Sequence, residues 1–384
     1  MKFNFIDLFA GAGGLSCGME LAGHKCLLGV DVDKHAMKTF EQNHKYSKAY
    51  CGDIKKLKGK TLKEYLGNKT VHVVVGGPPC QGFSTVGVGN PKDLRNSLFL
   101  EYCRIVKETK PYFIIMENVT GLLAKKNETT LNNIFKKFES MGYHMDVKVM
   151  ASQNYGVPEK RRRTIIIGSR LSSKIKFPVE THDTYKNNEY IPPALVGEVL
   201  EDLECSSGDI YNHDLSAAGV RSKLDLKRIK RIPEGQGIRY QKDEKSFLPP
   251  SLRLDVVWEE LPEKRFRQTK YCRLDRFKPS PTILTSRYTY YHPTEHRYLT
   301  QREAAKLQSF PNDFVFHGPV AAQWKQIGNA VPPIMAKALG KALISMYKSA
   351  KSSKNSNVKI TKSAKSKISQ VRSKAFVYRG KEAQ

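Results

Sequence analysis

The chain has 384 residues, 40% of them hydrophobic, enough for a sizeable core and, by length, for two domains or one large elaborated one. No run approaches the ~18 consecutive apolar residues of a membrane span, and the N-terminus lacks a secretion signal, so a cytoplasmic protein with no membrane partner is expected. The 65 Lys and Arg against 37 Asp and Glu give a formal charge of +28, which favours nucleic acid or another polyanion as partner. The cysteines (17, 26, 51, 80, 103, 205 and 272) form no C-x-x-C pair and no cysteine–histidine grouping, which argues against a disulfide framework and a structural zinc site.

In chain order, the first part alternates strand and helix. "FNFIDLF" is an apolar run meeting the glycines of "AGAGG", "LSCGMELAGH" carries helical spacing, and "KCLLGVDVD" reads as the next strand. "VHVVV", "YFIIME", "HMDVKVM" and "TIIIGS" follow as strands, with "SLFLEYCRIVKET" and "TTLNNIFKKFESMG" as helices between them. This pattern predicts an α/β fold over residues 1–171, a doubly wound, mostly parallel sheet with its ligands at the strand carboxyl ends. Residues 172–317 are rich in Lys, Arg, Pro and Tyr and read as a smaller irregular domain. Thr300 caps a predicted helix in "LTQREAAKLQSF", with Glu303 three residues on. A last helix starts at the prolines of "PPIMAKALGKALISMYKSA", and residues 318–347 complete the first domain. The tail, 348–384, holds eleven Lys or Arg against one Glu and reads as disordered, either touching phosphates or simply solvated.

The chemistry-bearing residues fall after successive strands. Gly11, Gly13 and Gly14 let the backbone approach a ligand, and Asp31, 20 positions beyond Gly11, is placed to hold ribose hydroxyls. That pair alone suits a nicotinamide, a flavin or another adenosyl ligand, or a glycine turn without a ligand. Asp53 follows a strand edge and could accept from an adenine amino group. In "HVVVGGPPCQGFST", Pro78 and Pro79 stiffen the approach to Cys80, and a glycine-rich, lid-like segment follows. A thiol is a strong nucleophile even when little of it is ionised; a buried structural cysteine is the plainer alternative. Glu117 ends the strand "YFIIM", where a partly desolvated carboxyl could carry a proton. Strand alternation aims Arg161 and Arg163 to one side and Arg162 to the other, and an arginine can hold a carbonyl or phosphate oxygen.

Taken together, "DLFAGAGG", "GGPPCQGFS", "MENV", "YGVPEKRRR", "LTQREAAKLQSFP" and "QIGNAVPP" resemble, in order and spacing, the DNA (cytosine-5) methyltransferases, over residues 1–170 and 296–345. The resemblance implies the S-adenosylmethionine-dependent methyltransferase fold, a small target-recognition domain at 172–317, and double-stranded DNA in the cleft between. It implies that Cys80 attacks C6 of a flipped cytosine, that Glu117 interacts with N3, that Arg163 holds O2 and that Arg161 supports the base or the active-site loop. Phe9, Gly11, Gly13, Gly14, Asp31, Val32, Asp53, Pro79, Asn329 and Val331 match positions of the S-adenosylmethionine pocket, with no metal. The chain departs from the common pattern at Val32, where an aromatic residue often follows the acid, and at Glu159, where glutamine is usual.

Three rivals are an RNA cytosine methyltransferase of the same fold, a nucleic-acid-binding protein with a silent core, and a nicotinamide oxidoreductase. The segment "Cys-Phe-Thr" of the RNA enzymes is absent, both Cys80 and Glu117 are present, and an oxidoreductase leaves them unexplained. Base readers are expected within 172–295, with Arg239, Tyr240, Arg253, Arg273 and Arg276 as candidates. The compact architecture fits a monomeric bacterial or phage enzyme of a restriction-modification system, with a restriction endonuclease as functional partner.

Overall fold

The structure is a computed structural model that describes residues 1–79, 94–171, 174–204 and 210–352. Cys80 and the basic tail beyond Ser352 lie outside the described residues.

Seven strands build the central sheet. They are β1 (Asn4–Leu8), β2 (Lys25–Asp31), β3 (Lys48–Cys51), β4 (Val73–Gly76), β5 (Phe113–Val119), β6 (His144–Ala151) and, after the two-residue β7 (Glu159–Lys160), β8 (Arg162–Ser169). Their order is β3-β2-β1-β4-β5-β8-β6, parallel through β5, with β8 running antiparallel to both β5 and β6. The doubly wound, mostly parallel sheet expected from the strand–helix alternation is therefore present.

Strand alternation divides the side chains between two faces. On one face Ile6, Leu28, Val74, Ile114 and Ile166 pack under α3 (Gly59–Leu66), α4 (Leu94–Thr109) and α5 (Glu128–Glu139). On the other, Phe5, Cys26, Val73, Ile115 and Ile165 pack under α1 (Gly14–Leu21) and α2 (Lys34–Asn43), with a long helix near the C-terminus, Pro333–Ser352, completing the layer. Because both faces are covered, the strands read as nearly continuous apolar runs.

Between β8 and that long helix the chain is less regular. It contains a hairpin of β9 (Thr184–Lys186) and β10 (Glu189–Ile191), α6 (Val196–Glu204), α7 (Lys223–Ile229), and β11 (Ile238–Tyr240) paired with β12 (Arg265–Lys270) around α8 (Gln241–Phe247). The short strands β13 (Cys272–Arg273), β14 (Ser280–Pro281) and β15 (Tyr290–Tyr291) follow. Ile229, Ile238, Leu248, Trp258, Tyr291 and Tyr298 form a separate small core here. A further cluster joins α6, α9 (Gln301–Leu307) and α10 (Val320–Asn329) to Ala12 and Cys17 of the first glycine loop and α1. The predicted cap is present: Thr300 Oγ1 accepts from Glu303 N at 3.2 Å while Thr300 N donates to the Glu303 carboxylate at 2.7 Å. The closing helix α11 is Pro333–Ser352. Among the described residues no helix is long and apolar enough to cross a membrane, and no group of three or more His, Cys, Asp or Glu is arranged to hold a metal.

Candidate active site

The carboxyl ends of β1, β2, β3, β4 and β5 open into a cavity of about 770 Å³. Of the residues singled out in the sequence, Phe9, Gly11, Gly14, Asp31, Val32, Asp53, Pro79, Glu117, Arg163, Asn329 and Val331 line it. Parallel strands end on one rim because each must return through a crossover helix, which is why sequence-distant loops converge here.

The first loop is shaped by backbone constraints. Phe9 and Gly11 have φ of 63° and 55°, the left-handed region that is costly for a phenylalanine, and a Cβ added to Gly11 would meet nothing within 4 Å. Asp31 fixes the loop: its Oδ2 accepts from Gly11 N and its Oδ1 from Asp33 N, both at 2.9 Å. Asp53 Oδ1 accepts from Lys55 N at 2.9 Å. Gly13 does not line the cavity as expected; its φ is 91° and a Cβ there would fall 2.2 Å from His44 Nε2, so it serves the tight turn into α1. Gly14 both lines the cavity and permits packing, since its Cβ would fall 2.6 Å from the Val331 carbonyl oxygen.

The two glycines that end β4 have separate steric reasons. A Cβ on Gly76 would fall 2.0 Å from Leu8 O of the neighbouring strand, and one on Gly77 would fall 3.0 Å from Glu117 Oε2. The Pro78 carbonyl then accepts from Asn118 Nδ2 at 3.0 Å, which ties this segment to the end of β5. Pro79 lines the cavity, and Cys80 is the next residue in the chain.

Beside this segment, Arg163 Nε lies 2.7 Å from Glu117 Oε1, both side chains largely withdrawn from water. Burial pushes the Glu117 carboxyl above the ordinary carboxylate range, while the charges of Arg163 and Arg161 pull it down. The arrangement holds a carboxyl able to donate or accept a proton, oriented by a guanidinium that retains further donors.

Arg161, expected beside Arg163, is placed differently. It is fully buried and lines neither cavity; its Nη2 donates to Gly328 O at 2.7 Å and its Nη1 to Ile283 O at 3.4 Å. Glu159 Oε1 lies 3.8 Å from Arg161 Nη1 and accepts from Ile283 N at 2.6 Å. The sheet is interrupted between Lys160 and Arg162, so strand alternation does not carry through Arg161. The Glu159–Arg161 pair clamps three chain segments together, and Gly328 is next to the cavity-lining Asn329. Burial raises the Glu159 carboxyl to about 7 and lowers the Arg161 guanidinium to about 10.

A second cavity, of about 870 Å³, adjoins the first across Arg163. Lys160, Arg162 and Lys278 line it against a single acid, Asp275. Arg162, expected to point away from the site, therefore faces this basic cavity. Arg273, a candidate base reader, also borders it, but its side chain is buried and its donors reach the carbonyls of Ile229, Ile232, His292, Pro293 and Glu295 and the His296 ring. It is a structural tie.

Asp7, Asn118, Lys325 and Gln326, none of them among the expected site residues, also line the first cavity. Asp7 carried a signal, an acid inside an apolar strand. Its Oδ2 accepts from Ser16 Oγ at 2.6 Å, and burial raises its carboxyl to about 7.

The model of the C-5 cytosine-specific DNA methylase family matches residues 3–345. The chain belongs to the C-5 cytosine-specific DNA methylase family. It is 35% identical over 356 residues to the type II methyltransferase M1.HphI of Haemophilus parahaemolyticus, with 90% of this chain and 88% of the relative covered. The type II methyltransferase M.DdeI of Desulfomicrobium norvegicum is 31% identical, with 93% and 92% covered. Among solved structures, a candidate DNA modification methyltransferase encoded within a prophage (E. coli) superposes with a TM-score of 0.67 at 26% identity, covering 90% of this chain and 99% of that one. This C-5 cytosine DNA methylase is thus of the restriction-modification type, and family membership implies S-adenosylmethionine as its methyl donor.

Proposed function

We propose that this DNA methylase transfers the methyl group of S-adenosylmethionine to C5 of a cytosine flipped out of a specific duplex sequence, with Cys80 as nucleophile. The observation that carries the reading is the Glu117–Arg163 pair, which stands where the cavity at the strand ends meets the basic one.

The first cavity suits the donor. Its lining includes Asp31, Asp33 and Asp53, carboxyl groups complementary to a ligand bearing a sulfonium and an ammonium. Asp31 and Asp53 would hold hydroxyl and amino groups, Phe9 and Val32 would flank the adenine, and Asn329 and Val331 would close the far side. When bound, the donor supplies an electrophilic methyl carbon.

The residues of the chain prepare the base to accept it. A stacked cytosine exposes neither face, so the base must leave the duplex, at a cost of a few kcal/mol; cations of the basic cavity offset this by holding the backbone. Cys80 Sγ, as the thiolate left when its proton passes to water, adds to C6 as Glu117 gives a proton to N3; the C5–C6 double bond is broken and C5 becomes an enamine-like nucleophile. Glu117, its carboxyl raised by burial, is suited to that proton, and Arg163, using donors beyond the one on Glu117, holds O2. Once C5 carries the methyl group, its proton passes to water, the C5–C6 double bond re-forms as Cys80 leaves C6 as thiolate, and N3 returns its proton to Glu117. Residues 172–317 would read the sequence. A monomer in the cytoplasm, with a restriction endonuclease as functional partner, completes the reading.

The test is transfer of tritiated methyl from S-adenosylmethionine to mixed-sequence duplex DNA, followed by bisulfite sequencing of the product. The expected result is 5-methylcytosine in one short context, lost in Cys80→Ala with donor binding retained. Turnover by Cys80→Ala would remove the proposed nucleophile.

A further inference from the structure

Beside the basic cavity, the turn Asp275–Lys278 holds an aromatic ring out in water. Phe277 is 71% exposed, whereas both tryptophans, Trp258 and Trp324, are buried. The turn is not loose. Asp275 Oδ1 accepts from Phe277 N at 2.9 Å, Lys278 N donates to Asp275 O at 3.2 Å, and Lys278 Nζ lies 2.6 Å from Asp275 Oδ2. On the other side Glu234 accepts from Arg276 N at 2.8 Å and pairs with the Arg276 guanidinium at 3.2 Å. The Arg276 guanidinium also sits 5.3 Å from the centre of the Phe277 ring.

These ties hold the turn in place with the ring in water, and an exposed phenylalanine forgoes the favourable transfer of its surface from water. What lies around the ring indicates which partner would cover it. Asp275 and Lys278, on either side of Arg276 and Phe277, line the cavity that also presents Lys160, Arg162 and Arg163. A partner filling that cavity brings anionic groups to the cations and needs a flat apolar surface for the ring. DNA supplies both once a base is unstacked, because every base has a π-face and every nucleotide a phosphate.

We propose that Phe277 stacks on a base of the DNA substrate, with Lys278 and Arg276 at the adjacent backbone, so that the 275–278 turn is a base-contact element of this enzyme. The contact would be made against a base unstacked or displaced by the bend of the duplex, in the manner of an apolar wedge. It contributes to DNA affinity and not to donor affinity, and its apolar part is independent of salt.

Phe277→Trp in the full chain tests this directly, because the new indole would be the only exposed tryptophan among the described residues. On addition of mixed-sequence duplex DNA its emission should be quenched by stacking and become shielded from acrylamide. Heparin, a polyanion without bases, should leave the emission and its access to acrylamide unchanged. In parallel, Phe277→Ala should raise the KM for DNA about ten-fold, the range of one base–aromatic stack, with kcat and donor Kd unchanged and activity restored by Phe277→Tyr. The slope of log affinity against log salt should stay at its wild-type value in Phe277→Ala and fall by about one in Lys278→Ala. An indole that stays open to acrylamide in the DNA complex, or that heparin quenches equally, overturns the proposal, as does wild-type DNA affinity in Phe277→Ala. Wild-type binding to the same DNA, measured alongside, separates failure of the contact from failure of DNA as the substrate.

Discussion

The cavity at the strand ends and the basic cavity beside it share Arg163 but are assembled by different means. The first is lined by residues that follow β1, β2, β3, β4 and β5, with α10 and its exit closing one side, and its five carboxyl groups outnumber its cations, Lys55, Arg163 and Lys325. The second is drawn from the segments that follow β5 and β6, from Lys160 of β7 and the start of β8, and from residues 235–282, with basic side chains outnumbering the one acid. A parallel sheet positions the first set by its own regularity, whereas the second depends on how an irregular segment is fastened to the sheet. The Glu159–Arg161 clamp is part of that fastening, since it joins β7 to Ile283 and to Gly328. One side of the active site thus follows from the fold, and the other from specific buried polar contacts.

Changes on either side should separate chemistry, attachment and electrostatics. The largest effect is expected for Glu117→Gln, which retains shape but cannot exchange a proton in the same way. The methylation rate should fall at least 100-fold, with DNA and donor dissociation constants within about two-fold of wild type; an unchanged single-turnover rate would end the proton-transfer role. Next is Arg161→Met, which leaves the Glu159 carboxyl buried without its cation. Urea unfolding should show a loss of about 3–5 kcal/mol, and Glu159→Gln introduced with Arg161→Met should recover part of it. Were the clamp unimportant, the single variant would unfold like wild type.

Asp7→Asn probes the acidic cavity through pH. The folded-state carboxyl is raised to about 7 from an ordinary value of 3.8, so the folded protein keeps a proton that the unfolded chain has released. Stability from this group is therefore complete below the unfolded value and declines as pH rises between about 4 and 7, by up to ~4 kcal/mol at 1.36 kcal/mol per pH unit. The variant should lose that slope in urea titrations at stepped pH; an identical slope would show that Asp7 is not the titrating group. The smallest effect is expected for Lys160→Ala in the basic cavity. DNA binding should weaken uniformly across sequences and the salt slope should fall by about one, with donor binding unchanged. Altered sequence preference would instead make Lys160 a base reader.

Most of the sheet is legible in the sequence because strands covered on both faces read as apolar runs between turn signals. The edge strand β3, "KAYC", is exposed or half-buried throughout, so it carried no such run and was seen only as a strand edge before Asp53. Motif residues were legible where chemistry restricts residue type, as at Asp31 and Glu117. Arg161 departs from the expected alternation because the strand breaks between Lys160 and Arg162. Arg273 looked like any other arginine of a basic segment until its carbonyl partners were visible.

By itself the sequence determined the strand–helix alternation, the family and the order of motifs along one rim, because each is encoded locally in apolar periodicity, glycine placement and residue type. Tertiary structure decided which basic side chains face a cavity and which are spent internally, and which aromatic ring remains in water. Those outcomes depend on whether carbonyls from distant segments, such as Gly328 and Ile283 around Arg161, arrive to satisfy a buried guanidinium, and no local pattern records that arrival.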